Sequence, residues 1–166
     1  MKKFIFAAFI FAGFALSQSA EAQIRIRINI GNQPAWGPVG YDYARYYYLP
    51  EANVYYDVDA ARYMYLERGR WITARKLPSM YRGINLYNTY KVVINRNYAP
   101  YRDNRKDILA YGRYQNVHNQ YAIRDSRDVK YYQSRYHPKH KEWRNNDRRD
   151  EGRYDDRRDN DRGRRR

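Results

Sequence analysis

Apolar positions follow three rhythms along this chain: an unbroken run, a long alternating stretch, and a thinning tail. The unbroken run comes first, from Phe4 to Leu16, behind Lys2 and Lys3 and ahead of Ala20-Glu21-Ala22. Its 13 residues fall short of the ~20 that cross a bilayer as a helix. A basic start, an apolar middle and a small-residue exit make residues 1–22 a secretory signal peptide, cleaved after Ala22. The mature chain is then expected to begin at Gln23, to be periplasmic or secreted, and to hold no transmembrane segment.

Alternation begins at once. Ile24, Ile26, Ile28 and Ile30 take turns with Arg25, Arg27 and Asn29, which predicts a strand with one apolar and one cationic face. This strand either packs on a later sheet or stays a free arm. Gly31, Pro34, Gly37, Pro38 and Gly40 then break the pattern, so residues 23–40 read as an N-terminal strand and a Gly/Pro loop. From 41 to 100 short β-prone runs are divided by turn signals: Arg45–Leu49, Asn53–Val58, Arg62–Glu67, Arg70–Ala74 and Thr89–Asn95. Arg68-Gly69 is the expected hairpin turn, since Gly accepts positive φ. These runs predict a mainly β fold, a small antiparallel meander or a partly open barrel.

Past Ile94 the aliphatic positions thin out. Asp103–Tyr111 is a short helix candidate, with Asp103 as N-cap, Ile108 and Leu109 as its apolar spot, and Gly112 as stop. Ser126–Tyr136 is a weaker one, ended by Pro138. Residues 101–143 thus read as a weakly structured basic region with short helices. Of the last 23 residues, 17 are charged, ten basic and seven acidic. No face of 144–166 can be apolar, so this Arg/Asp-rich tail is expected to be disordered.

Composition sharpens this outline. All five Phe lie in the first 14 residues, so 21 Tyr, three Trp and 21 Ile, Leu and Val must supply the core of the mature chain. Each Tyr hydroxyl needs water or a partner, which predicts a thin, half-solvated sheet. The absence of Cys excludes a disulfide scaffold, a Cys-ligated metal and a thiol enzyme. Charge is strongly positive, 33 Lys+Arg against 18 Asp+Glu, and export leaves it at +14.

Reaction chemistry finds little to work with. Three His (His118, His137, His140) and three mature Ser (Ser79, Ser126, Ser134) fall outside any nucleophile-elbow pattern, and no Gly-rich phosphate loop is present. A non-enzymatic protein without a cofactor is the expectation. His137 and His140, three apart, form the one pair from which a metal site could be built. Arginine dominates the cations, 25 to eight Lys, and recurs beside Tyr throughout. Guanidinium groups bind phosphate and carboxylate bidentately. Arg25, Arg27, Arg148, Arg149, Arg157, Arg158, Arg164, Arg165 and Arg166 are the candidate anion-binding residues. For an exported chain the matching anions are envelope polymers such as lipopolysaccharide or peptidoglycan, with no dedicated role for nucleic acid.

Tyr46–Tyr48, Pro50, Asn53–Tyr56, Tyr63, Tyr65, Gly69, Trp71 and Leu77-Pro78 together resemble the pattern of a group of small, uncharacterised secreted Tyr-rich proteins of Gram-negative bacteria. The likeness runs to about Tyr111 and brings no activity with it. Leu77-Pro78-x-x-Tyr81-Arg82-Gly83, with the Arg/Asp-rich segment, is similar to periplasmic nickel/cobalt-homeostasis proteins. In that family the charged segment precedes the domain and is richer in His. The expected function is adhesion of an exported, non-enzymatic protein to anionic envelope polymers. The alternative is periplasmic metal homeostasis or sensing through His137 and His140.

Overall fold

The computed structural model describes residues 27–148. Five strands form one antiparallel sheet: β1 (Tyr46–Leu49), β2 (Val54–Asp57), β3 (Arg62–Glu67), β4 (Arg70–Ala74) and β5 (Val92–Ile94). Their order is β4-β3-β2-β1-β5, a four-strand meander whose fifth strand returns beside the first, and the sheet stays open. Aromatic and β-branched residues fill the strands, and each turn is built from residues that accept its backbone. Arg68 and Gly69 both take positive φ, 49° and 75°, the geometry of a two-residue hairpin turn. Asn53 and Ala61, at φ 50° and 51°, close the turns on either side of β2.

Register places alternate residues on opposite faces. Tyr47 pairs with Tyr56 and Leu49 with Val54 on one face, while Tyr48 pairs with Tyr55 on the other. The first face gathers Ala44, Tyr47, Leu49, Val54, Tyr56, Val58 and Tyr65. Leu77, Tyr81 and Leu86 cover it from the connection between β4 and β5, and Trp36 from the N-terminal loop. On the second face lie Tyr46, Tyr48, Tyr55, Met64 and Ile94, under Tyr101 and Tyr111. Helix α1 (Asn104–Tyr111) lies over this face.

The sheet is half-solvated along β3 and β4, as expected, but its centre, β1 and β2, is buried on both faces. Tyr47 and Tyr55 are fully buried and Tyr48 nearly so, because segments expected to be loops or weakly structured cover both faces. The hydroxyls are satisfied from within. Tyr47 donates to Gln33 Oε1 at 2.9 Å, Tyr48 to Asn53 Oδ1 at 3.1 Å and Tyr55 to Asp107 Oδ2 at 2.7 Å. Ring pairs such as Tyr48–Tyr55, with centroids 4.8 Å apart, each add about 1 kcal/mol beyond burial.

The N-terminal alternation ends differently from a strand. Its described part, residues 27–29, is irregular, and a 3-10 turn follows at Ile30–Asn32. Asn29 accounts for the change: its side chain donates to Ala44 O at 2.8 Å and accepts from Ala44 N at 2.9 Å, a clamp that takes the place of a ladder. Beyond it Ile30 is buried with Ile123 and Tyr131. The Gly/Pro loop also docks, with Pro38 opposite Ala122 and Ile123 N donating to Gly37 O at 2.8 Å.

Helix α1 matches its expected bounds within a residue, but not its expected inner face. Ile108 and Leu109 are 41% and 79% exposed, whereas Asp107 is buried against Tyr55 and Arg96. Asp103 stands at the N-cap position without capping, its carboxylate held by Lys106 at 2.9 Å. Of Ser126–Tyr136, only Val129–Gln133 is helical, as 3-10 turns, because Asp128 accepts from Lys130 N and starts the helix late. Residues 140–148 are helical, so 144–148 depart from the disorder expected of the tail; residues 149–166 lie outside the described part.

Candidate functional site

A cleft of about 420 Å³ opens on the first face of the sheet. Four separate segments build it: the N-terminal loop brings Trp36, strands β2 and β3 bring Tyr56 and Tyr63, the connection after β4 brings Arg75 and Tyr87, and the C-terminal segment brings Tyr136. Strand register sets the inner wall, since Tyr56 and Tyr63 are cross-strand partners with rings 4.8 Å apart. Trp36 packs edge-on to Tyr56 at 4.7 Å and nearly parallel to Tyr63, at 18° and 6.3 Å. Gly37 lets the loop come this close, because a Cβ there would lie 2.8 Å from the Tyr47 hydroxyl.

Polar tips around the cleft are unused. Among the described residues the Trp36 indole N–H and the hydroxyls of Tyr56, Tyr63 and Tyr136 make no hydrogen bond, and Arg75 makes no ion pair. Burial pushes the Tyr63 phenol up to about 12 and raises Tyr56 further, so both stay neutral donors at physiological pH. A second hollow of about 240 Å³ shares Tyr87 with the first and is bordered by Gln120 and Arg124. Arg124 lies 3.9 Å above the Tyr87 ring and is paired with Asp125 at 2.9 Å.

Unpaired positive charge runs from the cleft, at Arg75, along the β3–β4 hairpin to its turn. Between Ala60 and Arg102 the lone carboxylate is Glu67, against nine cations. Arg68, Arg70, Arg75, Lys76 and Arg82, on the β3–β4 hairpin and the connection leaving it, are exposed and make no ion pair among the described residues. Sequence reading had placed the anion-binding candidates at the chain ends. Arg27 is exposed, 6.0 Å from the Tyr43 ring centre, and Arg148 is exposed at the end of the last helical stretch. Arg25, Arg149, Arg157, Arg158, Arg164, Arg165 and Arg166 lie outside the described residues. The missed signal was one of position: a 43-residue stretch with a single acid spans a hairpin, which sets Arg68 and Arg70 at its turn and Arg75 and Lys76 at its open end.

Other charged clusters hold the fold together. Arg96 grips Asp107 with two nitrogens and also donates to Pro100 O at 2.9 Å, while Tyr55 donates to the same carboxylate. Asn104 joins this network to Asn53 and Tyr55. Lys91 is fully buried, donating to Leu86 O at 3.1 Å, and burial lowers its pKa to about 8.

His137 and His140 come out as packing residues. His137 is buried, packs tilted against Tyr132 with centroids 4.7 Å apart, and accepts from Lys139 N through Nδ1 at 3.0 Å. That bond assigns the ring proton to Nε2, which points at Ser126 O at 3.3 Å. Both nitrogens are thereby engaged, and burial lowers the His137 pKa. His140 directs Nδ1 at Tyr132 O, 3.0 Å away. Among the described residues no three His, Asp or Glu gather into a metal-binding group. No helix among them is long and apolar enough to cross a membrane. No family model matches the chain, and no curated protein or solved structure does either.

Proposed function

We propose that this chain is an exported, non-enzymatic protein that holds on to anionic polymers of the cell envelope, lipopolysaccharide or peptidoglycan, through a distributed basic surface. The observation that carries the reading is the run of exposed, unpaired cations on the β3–β4 hairpin and the connection after it. Glu67 is the one carboxylate among them and pairs with none, so these cations keep most of their field for an outside anion. The Arg-rich ends, with Arg25, Arg27 and the arginines from Arg148 onward, extend the same charge in sequence. Export rests on residues 1–22, whose basic, apolar and small-residue parts serve a signal peptidase.

Co-sedimentation with purified lipopolysaccharide and with peptidoglycan sacculi tests the reading. Binding is expected at low salt and is expected to fall steeply as ionic strength rises, because exposed charges are screened within about 10 Å at 0.1 M. Retention that is unchanged from low to near-molar salt overturns it. Sequencing the N-terminus of the mature protein tests export, with Gln23 expected first.

A further inference from the structure

The aromatic cleft calls for a ligand that a diffuse basic surface does not explain. At about 420 Å³ it falls in the size range of small-ligand sites, roughly 300–1,000 Å³. Its walls are amphipathic rings, and the polar tips of Trp36, Tyr56, Tyr63 and Tyr136 have no partner among the described residues. Flat apolar faces ringed by spare donors match a pyranose, which offers axial C–H groups to an aromatic face and equatorial hydroxyls to donors at its edge. Arg75 supplies a guanidinium free to take a carboxylate or phosphate bidentately. The second hollow shares Tyr87 with the cleft and is bordered by Gln120, so a neighbouring sugar has somewhere to lie.

We infer that the cleft is a saccharide subsite, taking one pyranose ring of an anionic glycan among Trp36, Tyr63 and Tyr136, with the ring's acidic substituent on Arg75. The choice of envelope glycans as ligands rests on the function proposed above, while the subsite itself rests on the cleft. A muramyl ring with its carboxylate and a phosphorylated sugar of a lipopolysaccharide core share the required chemistry. Nucleic acid also stacks on aromatic faces, but the cleft accepts about one ring and carries one cation.

Titration of the full mature chain, followed by tryptophan fluorescence, separates the possibilities. The probes are an N-acetylglucosamine–N-acetylmuramic acid disaccharide, the same disaccharide with its carboxyl reduced to the alcohol, a phosphorylated core oligosaccharide, and a short DNA oligonucleotide. Saturable binding of one acidic sugar is expected, surviving near-molar salt in part because stacking is not screened. Whichever of the two acidic probes binds more tightly identifies the source. Arg75→Ala is expected to weaken the acidic sugar about tenfold, down to the level of the reduced disaccharide. Tyr136→Ala, at a position 50% exposed and therefore safe for folding, is expected to weaken both sugars alike. Absence of saturable binding by either acidic sugar overturns the inference, as does an oligonucleotide that binds more tightly and is lost with Tyr136→Ala. The proposed function fails separately: polymer co-sedimentation that ignores salt contradicts it even where the disaccharide binds.

Discussion

Asp107 shows how far a single residue departs from its local pattern. In an eight-residue helix with two apolar neighbours, the apolar pair was the expected inner face, yet the carboxylate is what faces inward. Its partners, Tyr55 and Arg96, lie 52 and 11 residues away and leave no trace in the helix's own sequence. Asp107→Asn removes the charge from a pair in which Arg96 is only 20% exposed, and is expected to cost about 3 kcal/mol by chemical denaturation. Tyr47→Phe leaves Gln33 Oε1 buried without its donor and should cost about 1–2 kcal/mol. Lys91 works in the opposite sense. Its folded pKa lies near 8, below the unfolded 10.5, so carrying the charge costs stability at neutral pH. That cost is relieved as pH rises from 8 toward 10.5. Wild-type stability should climb over the lower part of this window, and Lys91→Met should abolish the climb.

Strands and turns were the most legible elements. β3 and β4 coincide with their alternating runs, and Gly69 takes the positive φ the turn demanded. β5 is shorter than the β-prone run Thr89–Asn95, because Thr89 and Lys91 leave the ladder to bond Glu51 and Gln120. The N-terminal Gly/Pro loop was legible as a loop but not as a packing element. Breaker residues there serve close approach, and Gly37→Ala would press a Cβ against the Tyr47 hydroxyl and Pro34 O, 2.8 and 3.0 Å away. A loss of about 1–3 kcal/mol is expected in thermal or chemical unfolding. Illegible for the same reason was the cleft: Trp36, Tyr63, Arg75, Tyr87 and Tyr136 span 100 residues of sequence, and no local periodicity predicts that they meet.

At the scale of the whole molecule, tyrosine does the work that leucine and phenylalanine do elsewhere, and this sets an alkaline limit. Burial raises the Tyr48 and Tyr63 pKa values to about 12, and those of Tyr47, Tyr55 and Tyr56 further, all from 10.0. Groups with raised folded pKa values contribute stability that is intact below the unfolded value of 10.0 and lost as pH climbs above it. In a spectrophotometric titration the exposed tyrosines should ionise first, and the buried set together with the loss of circular dichroism. A single class ionising near the ordinary value would contradict a tyrosine core. The proposed function rests on charge that the fold leaves unpaired among the described residues, carried on one hairpin and its exit rather than only at the chain ends. The most direct measurement is the salt dependence of envelope-polymer binding by the mature chain beside a variant with Arg68, Arg70, Lys76 and Arg82 all changed to Gln. A clearly flatter dependence and weaker low-salt binding in the variant are predicted; the same slope and the same affinity in both proteins would contradict the account.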